Sequence, residues 1–519
     1  MKKKVLAKII SFTMACVFLL TGCAGSASGS GSGADSGTPK EVVDIEVMVY
    51  ERGKEFISGM STTDNALTRW INEQLEPLGV HVTYVPIPRS GADDKINLML
   101  AGNEAPDVIM TYDQQRVSTY ASQGGLVNLG DYLDRLDPDF VSRFQEQIDW
   151  VKMDGELWCL PRIFEIYGKS HLTMIRQDLV EELGMEMPTD RDQLIEFLYA
   201  VKEKYPDITP YGMSGEVTDD KFFNFLLSYT SRENERDNYI YEPTFTIILK
   251  PGAKEGLRQL NQFVLDGIID PEFALDTDGT KYEQNIANGK YAFLMGNNNT
   301  WLDAYETSQN SNYHMVCANV LKNADGTYEY PSSDPVSNYV YVPKASEDKI
   351  DAIMTYLGWI SKYENALNVE YGIEGVNYEM EDGKPVITLT KEEADAIGMP
   401  ESRSDLDMLW RGFDFGNDSR LAQQQVAHPS TPEDVLQSYL DGMYNDYYDK
   451  CIINGALKSD EYVPLLQTLI VEFAFKCMTA PEGQFDAVYE QEYQVLLDNH
   501  LQEVLDERAA WYDANIANK

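Results

Sequence analysis

Apolar positions near the start of the chain alternate between strand-like and helix-like spacing. The β-rich apolar run Asp44–Tyr50 predicts a buried strand. The segment after it predicts a helix that Asp64 caps and Gly79 ends. The apolar residues of this helix recur at three- and four-residue spacing: Leu67, Ile71, Leu75 and Leu78.

The same segment contains two further candidate strands. Val80–Ile87 predicts the second strand and Val108–Met110 the third, with a helix over Asp93–Ala101 between them. This βαβαβ order predicts parallel strands joined by right-handed crossovers. In such sheets ligands bind beyond the carboxyl ends of the strands. Four side chains follow these ends: Glu51, Arg52, Tyr112 and Asp113.

The rest of the chain continues as a mixture of strands and helices. The predicted strands are Ser170–Arg176, Gly289–Gly296 and Val336–Pro343. The predicted helices are Asp178–Leu183, Gln193–Lys204 and Asp351–Tyr363, with Pro188 and Thr189 capping the second. From about Pro432 to Asn518 the pattern is almost entirely helical. The fold class predicted from these patterns is α/β with a helical C-terminal region.

The N-terminus has the pattern of a secretory signal. Lys2, Lys3 and Lys4 precede the apolar run Ile9–Leu20, which is shorter than the roughly 20 residues of a membrane-spanning helix. The run ends in Leu20-Thr21-Gly22-Cys23, which resembles the lipobox of bacterial lipoproteins. That resemblance implies a signal peptide over residues 1–22, cleavage before Cys23, and acylation of Cys23 with chains such as palmitate. An ordinary cleaved signal with an incidental cysteine is the alternative.

Residues 23–42 are rich in serine and glycine and have few apolar side chains. Such a composition cannot form a packed core and is typical of a flexible linker. The sequence therefore predicts a lipid-anchored tether that lets the folded part stand off the membrane.

Length and charge limit the remaining possibilities. A chain of 519 residues is too long for one compact core, which predicts two lobes or domains. The net charge is −43, and removing Lys2, Lys3, Lys4 and Lys8 with the signal leaves 38 basic and 85 acidic residues, or −47. Phosphate backbones repel such a polyanion, so a nucleic-acid partner is excluded.

The cysteines and acidic loops give no metal or cofactor signature. After Cys23 the cysteines are widely spaced, at Cys159, Cys317, Cys451 and Cys477, and either a Cys451–Cys477 disulfide or buried free thiols fit them. Asp276-Thr277-Asp278-Gly279 is like part of a calcium loop, but it lacks the ligand count of one, so we predict a plain turn. No cofactor is predicted.

Five segments in order resemble the large sugar-type lipoproteins of family 1 solute-binding proteins, the extracellular subunits of ATP-driven (ABC) importers. They are Met99–Ile109, Asp154–Arg162, Ile175–Gly184 with Pro188-Thr189, Ala287–Gly296 with Trp301, and Tyr371–Tyr378. Together they cover the chain from about residue 43 to at least residue 380, behind the lipobox.

The resemblance implies a two-lobe periplasmic-binding-protein-like fold with crossing hinge strands. We map lobe one to 43–165 plus 338–372 and lobe two to 166–337 plus 373–519. The crossings are expected at Cys159–Tyr167 and Val336–Lys344, where binding would close the lobes by a hinge motion. The expected partners are a carbohydrate, in particular an oligosaccharide, the importer's permease, and the membrane through the lipid anchor. The protein is expected to be a monomer.

A sugar site needs aromatic platforms and charged or amide groups. Near strand ends and crossings the candidates are Glu51, Tyr112, Asp113, Arg162, Glu165, Tyr167, Tyr229, Trp301, Asp334 and Tyr378. Core packing is the alternative for each aromatic residue, and an exposed surface position is the alternative for each charged one. If Trp301 is a stacking platform, its replacement by alanine is expected to weaken sugar binding by roughly ten-fold or more.

Three other functions compete with sugar import. A glycoside hydrolase would use two carboxylates at a set separation, but with 85 acidic residues some pair is always available, and we predict no enzyme activity. A binding protein for a peptide or another polar solute remains open, and so does a sensory lipoprotein without transport.

Overall fold

The computed structural model describes most of the chain beyond the N-terminal segment. The described residues are 42–51, 59–89, 91–153, 155–165, 171–217, 221–243, 246–308, 313–318, 321–331, 336–399, 405–444, 448–449 and 457–517. Within them, the side chains at positions 171, 297–300, 331, 391 and 448–449 are not described. The predicted signal peptide and most of the predicted linker lie outside these ranges.

The strands and helices follow each other as in an α/β protein. In chain order the strands are β1 (Val43–Glu51), β2 (Val80–Pro88), β3 (Ile109–Thr111), β4 (Leu160–Phe164), β5 (His171–Arg176), β6 (Thr209–Gly212), β7 (Tyr291–Asn297), β8 (Met315–Cys317), β9 (Tyr330–Pro331), β10 (Val336–Tyr341), β11 (Tyr378–Glu381), β12 (Lys384–Ile387), β13 (Trp410–Arg411) and β14 (Tyr448–Asp449). The helices of the first half are α1 (Ala66–Leu75), α2 (Ala92–Gly102), α3 (Gln114–Ser122), α4 (Pro138–Arg143), α5 (Gln145–Trp150), α6 (Gln177–Glu182), α7 (Arg191–Lys204), α8 (Phe223–Leu227), α9 (Glu235–Tyr241) and α10 (Ala253–Leu265). Those of the second half are α11 (Thr280–Ala287), α12 (Asn298–Glu306), α13 (Ile350–Ile360), α14 (Tyr363–Tyr371), α15 (Lys391–Ala396), α16 (Asn417–Ala427), α17 (Glu433–Met443), α18 (Val463–Met478), α19 (Phe485–Asp498) and α20 (Leu501–Asn515).

The N-terminal βαβαβ unit is confirmed, with one correction to its first helix. The side chain of Asn65, not Asp64, caps α1: it accepts from the backbone N–H groups of Leu67 and Thr68, both at 3.0 Å. Thr68 completes a capping box by accepting from the Asn65 backbone N–H. Gly79 ends this segment at φ 85°, a left-handed conformation that glycine adopts without steric cost.

The first sheet brings strands together in the order β2–β1–β3–β10–β4–β13. β1 and β2 pair in parallel, and backbone bonds from Met48 to Val108 (2.9 Å) and from Val108 to Glu46 (3.0 Å) join β1 to the start of β3. β10 is antiparallel to both β3 and β4, whereas β13 is parallel to β4. Among the described strands of this sheet, β10 therefore runs against the others.

The second sheet contains strands in the order β6–β7–β5–β8. β6 and β7 are parallel, and β5 is antiparallel to both β7 and β8. The carboxyl ends of β6, β7 and β8 consequently share one edge with the first residue of β5.

Each sheet has its own hydrophobic core, and we call the two parts lobe one and lobe two. The core of lobe one contains buried residues between Ile45 and Ile163 and between Val336 and Phe413. The core of lobe two contains buried residues between Leu172 and Tyr330 and between Val435 and Tyr512. Every helix of the C-terminal region from α17 onward packs on lobe two.

The packing differs from the predicted lobe boundary after residue 372. We expected 373–519 in lobe two, but Tyr378, Met399, Leu406 and Leu409 are buried in the core of lobe one. The reason is that β13 adds to β4, and the Trp410 ring packs against both Phe140 and Phe144, with ring centroids 6.0 Å and 5.2 Å apart. Among the described residues no helix is long and apolar enough to cross a membrane.

Candidate functional site

The carboxyl ends of the parallel strands meet at one edge of the lobe-one sheet. Glu51 is the last residue of β1, Arg89 follows β2, and Tyr112-Asp113 follows β3. Glu165 follows β4 at the same edge, because β4 runs in the same direction as β3. The structure therefore brings together four residues that the sequence predicted for the site, Glu51, Tyr112, Asp113 and Glu165.

Short chain segments connect this edge to the corresponding edge of lobe two. Only residues 166–170 separate Glu165 from the start of β5, and residues 332–335 separate β9 from β10. A segment of that length spans at most roughly 20 Å. The carboxyl edges of the two sheets therefore lie close to each other, as the predicted strand crossings require.

Tyr112 is the most exposed of the described aromatic residues at this edge. Its side chain is 41% exposed, and its ring centroid lies 5.6 Å from that of the buried Tyr50. The Tyr50 hydroxyl donates to the backbone carbonyl of Met110 at 3.1 Å, and this hydrogen bond fixes the position of the Tyr50 ring. The guanidinium carbon of Arg89 lies 4.2 Å from the Tyr112 centroid and 5.2 Å from the Tyr50 centroid. We call these three side chains the Tyr–Arg stack.

Asp113 and Glu51 supply carboxylates beside the stack. The Asp113 side chain caps α3 by accepting from the Arg116 backbone N–H at 3.3 Å. The Arg116 side chain lies between Asp113 (3.7 Å) and Asp93 (3.6 Å), so one guanidinium serves two carboxylates. Glu51 accepts from the Thr62 hydroxyl at 3.0 Å. These contacts hold both carboxylates in place, and carboxylate oxygens are acceptors for ligand hydroxyls.

Glu165 lies directly after β4, within the first predicted strand crossing, Cys159–Tyr167. Its side chain pairs with Arg143, and its backbone N–H donates to the Arg411 carbonyl at 2.8 Å. Burial raises the pKa of Glu165, against the opposing effect of the Arg143 charge. Glu165 is therefore committed to an ion pair in this conformation but remains partly accessible.

Arg162 lies below this edge in a buried ion network. It is 1% exposed and donates to the Asp407 carbonyl (2.9 Å), to the Asn338 side chain (2.9 Å) and to the Asp407 carboxylate. Asp405 lies 3.6 Å away. Burial acts to lower the pKa of Arg162, but Asp407 and Asp405 outweigh it and hold this pKa above its usual value. Each of these partners is inside lobe one, so we assign Arg162 to the structure of the crossing strands.

Among the predicted site residues, Tyr229 belongs to lobe two and its side chain is half-buried. The guanidinium carbon of Arg191 lies 4.2 Å from its ring centroid, at the first turn of α7. The last turn of α7 leads within four residues into the start of β6. The first turn of α7 therefore lies toward the carboxyl edge of the lobe-two sheet. Burial raises the pKa of Tyr229 to about 12, so its hydroxyl is protonated at neutral pH.

Trp301 and Tyr378 lie in the cores. Trp301 is 1% exposed in lobe two, where it stacks on Tyr305 and Tyr439. Tyr378 is fully buried in lobe one, 6.0 Å from Tyr371, although the sequence placed it in lobe two. Neither ring offers a free face, so we do not carry them into the proposed site.

Three predicted residues, Cys23, Tyr167 and Asp334, lie outside the described residues. The loop around Asp276 is a capping turn in which its carboxylate accepts from the backbone N–H groups of Lys281 (3.0 Å) and Tyr282 (2.8 Å). In the described ranges no cluster of three or more His, Cys, Asp or Glu side chains could hold a metal. Cys159 and Cys477 are buried free thiols, and Cys317 is a half-buried one.

The sequence did not identify Arg89 or Asp460 as candidates for the site. Arg89 could have been found by the same rule that gave Glu51, because it follows the second parallel strand. Asp460 had no local signal: it lies in a short 3-10 helix, Lys458–Tyr462, on lobe two. Burial raises the pKa of Asp460, against the opposing effects of the Leu457 backbone N–H and the Arg508 charge, with minor contributions from the charges of Glu507 and Asp113.

A third connection between the lobes is the helix α16. Near its start Arg420 pairs with Asp414 of lobe one (2.6 Å), and Gln423 donates to the Tyr371 hydroxyl (2.9 Å). On its other side Leu421 packs on the core of lobe two, and the Arg420 guanidinium lies over the Tyr444 ring at 4.3 Å. Any hinge motion must therefore move α16 together with the two strand crossings.

Comparison with known proteins identifies this architecture. The sequence profile described as "Bacterial extracellular solute-binding protein" matches residues 60–366. The chain belongs to this family. The resemblance drawn from the sequence is thereby confirmed, as is the α/β fold of two lobes with a helical C-terminal region. The family is one of binding proteins.

Two relatives share sequence with this family member. It is 23% identical over 388 residues to lipoprotein LipO of Bacillus subtilis (strain 168), a match that spans 70% of this chain and 72% of LipO. It is 25% identical over 262 residues to FusA of Streptococcus pneumoniae serotype 4, a fructooligosaccharide ABC transporter substrate-binding protein. That match covers 46% of this chain and 47% of FusA.

The fold also matches that of a solved structure over nearly the whole chain. The alginate-binding protein AlgQ2, crystallised without calcium ion, superposes with a TM-score of 0.64 at 16% identity. The superposition covers 91% of this chain and 98% of AlgQ2. At this identity the match concerns the fold alone.

Proposed function

We propose that this chain is the solute-binding subunit of an ATP-driven importer. It captures an oligosaccharide between its two lobes and delivers this ligand to the membrane permease. It acts by binding and not by catalysis. Membership of the solute-binding family supports the class of function. The relative FusA, named for fructooligosaccharide transport, supports the type of solute.

The observation that carries the proposal is the exposed ring of Tyr112 among polar groups. Sugars have apolar ring faces and a rim of hydroxyls, so they bind aromatic platforms flanked by carboxylates and guanidinium groups. Tyr112 is 41% exposed, with Asp113 next in sequence and Arg89 at 4.2 Å. Glu51, Glu165 and, from lobe two, Tyr229 complete the proposed site, and Tyr167 and Asp334 remain candidates for it.

Capture by two lobes also accounts for delivery. A ligand that contacts both lobes stabilises the closed arrangement relative to the open one. The permease then recognises the closed form of a monomer. The helix α16, which contacts both lobes, must move when they close.

A thermal-shift screen of the full-length chain in detergent tests this proposal. The panel contains nystose, maltotriose, xylotriose, trigalacturonate and a tripeptide. A ligand at one hundred times its Kd adds about 2.7 kcal/mol to stability, which corresponds to a rise of several degrees in Tm. A rise with an oligosaccharide is expected. A rise with the tripeptide alone contradicts the proposed solute, and hydrolysis of a bound glycan contradicts a pure binding function.

The Tyr112→Ala variant is expected to lower the affinity for the bound oligosaccharide about ten-fold, because the variant loses the stacking face. Isothermal titration calorimetry measures the change. Tyr199→Ala is the matched control, since Tyr199 is 36% exposed but lies on the outer helix α7 against Asp266. Equal affinities of both variants and the unsubstituted chain remove Tyr112 from the site.

We also propose that the protein is held at the extracellular face of the cell membrane through acylated Cys23. The lipobox Leu20–Cys23 and the lipoprotein relative LipO support this location. One acyl chain binds a membrane only reversibly, whereas two or more hold a protein durably. The segment to about residue 42 then acts as the tether.

Cys23→Ser is expected to release the protein from the membrane fraction into the medium and to abolish labelling by radioactive palmitate. The physical reason is that serine lacks the thiol on which the lipid is attached. Cell fractionation and labelling measure the two effects. Ser28→Ala, in the same linker, should leave both unchanged. A Cys23→Ser protein that stays labelled and membrane-bound rules out this anchor.

A further inference from the structure

Arg89 occupies an unusual position at the carboxyl edge of lobe one. Its backbone N–H donates to the Glu51 carbonyl at 3.0 Å, which fixes the residue directly beyond β2. Its exposed side chain lies over Tyr112 and Tyr50, with the guanidinium carbon 4.2 Å and 5.2 Å from the two ring centroids. Contacts with aromatic faces orient a guanidinium without using its N–H donors.

Five other described arginines at or near this edge are neutralised by carboxylates. Their pairs are Arg116 with Asp93 and Asp113, Arg143 with Glu165, Arg162 with Asp407, Arg411 with Asp407, and Arg420 with Asp414. Among the described residues no carboxylate oxygen lies within 4.0 Å of Arg89. In a chain with 85 acidic and 42 basic residues, an arginine without an acidic partner is unexpected.

An oriented guanidinium with free donors binds two adjacent oxygen atoms at once. We propose that Arg89 is a ligand-binding and specificity-determining residue that donates paired hydrogen bonds to adjacent hydroxyls of a neutral oligosaccharide. This inference rests on the proposed function and names the chemical class of its ligand. Arg89 was absent from the site predicted by sequence.

The surrounding charges favour a neutral ligand over a sugar acid. Asp93 and Asp113 share the single guanidinium of Arg116, and Glu51 adds another carboxylate beside the stack. A uronate bound to Arg89 would approach these carboxylates, and like charges at short range repel. Neutral hydroxyls can instead accept from Arg89 and donate to the neighbouring carboxylates.

The test compares three variants of the full-length chain in detergent by calorimetry. The probes are trigalacturonate and whichever of nystose, maltotriose and xylotriose binds the unsubstituted chain most tightly. Arg89→Ala and Arg89→Lys are each expected to weaken binding of the neutral probe about ten-fold, since lysine retains the charge but lacks the planar pair of donors. Arg69→Ala is the control, because Arg69 is an exposed arginine of lobe one paired with Asp64. Its affinity should change less than about two-fold.

Further outcomes separate this inference from the proposed function. In the Tyr112→Ala background, Arg89→Ala should weaken binding again. No further loss would mean that Arg89 only positions Tyr112, and it would overturn the inference. Unchanged affinity in both Arg89 variants, or tighter binding of trigalacturonate than of every neutral probe, also overturns it while the proposed function stands. Failure of the unsubstituted chain to bind any oligosaccharide overturns both.

Discussion

Replacing Arg162 by alanine is expected to lower the free energy of unfolding by about 3–5 kcal/mol. The Arg162 guanidinium is 1% exposed and contacts Asp407, Asp405 and Asn338. Its removal takes a buried positive charge away from both Asp407 and Asp405, while Arg411 Nε stays 3.2 Å from Asp407. An uncompensated charge in a buried position costs more than the ion pair contributes. Urea unfolding followed by circular dichroism measures the change.

Arg135→Ala is the control for this prediction. Arg135 pairs with Asp351 at 2.9 Å, but the Asp351 side chain is 91% exposed, so the loss should be at most about 1 kcal/mol. The sequence had placed Arg162 in the ligand site. If Arg162→Ala unfolds like the unsubstituted chain but binds oligosaccharide more weakly, that earlier interpretation is right and the structural role is wrong.

Sequence reasoning worked where a local pattern determines the geometry. Glu51, Tyr112 and Asp113 were predicted because each follows an apolar run, and parallel pairing brings the ends of such runs to one edge. The same rule applies to Arg89, which the prediction omitted although Pro88 marks the end of its strand. Strand direction decides which residues meet at this edge, and that direction is readable from βαβ order.

Sequence reasoning failed where long-range packing decides. Asp407 is 245 positions from Arg162 in the sequence, and β13 is only two residues long. A strand this short has no recognisable periodicity, so the sequence pattern does not predict the pairing that adds residues 405–413 to lobe one. Tyr378 was assigned to the wrong lobe for the same reason.

The burial of an aromatic side chain is hard to predict from its neighbours in the sequence, as Trp301 shows. Trp301 follows four polar residues, Asn297, Asn298, Asn299 and Thr300, and this neighbourhood suggested an exposed platform. In the structure residues 298–306 form the helix α12, and one face of a helix can be buried whatever precedes it. The Trp301 ring stacks on Tyr305 at 5.8 Å and on Tyr439 at 6.1 Å.

Trp301→Ala is therefore expected to lower the free energy of unfolding by about 3–5 kcal/mol, because it opens a large cavity in the core of lobe two. The indole Nε1 also loses its contact to Met315 Sδ at 3.0 Å. Trp301→Phe fills most of that cavity and should cost roughly half as much.

Urea unfolding and calorimetry on the same samples distinguish the two roles of this ring. Folded Trp301→Phe should bind oligosaccharide as tightly as the unsubstituted chain. A stable Trp301→Ala protein with a roughly ten-fold lower affinity would mean that Trp301 reaches the ligand after all, in a closed conformation that exposes its ring.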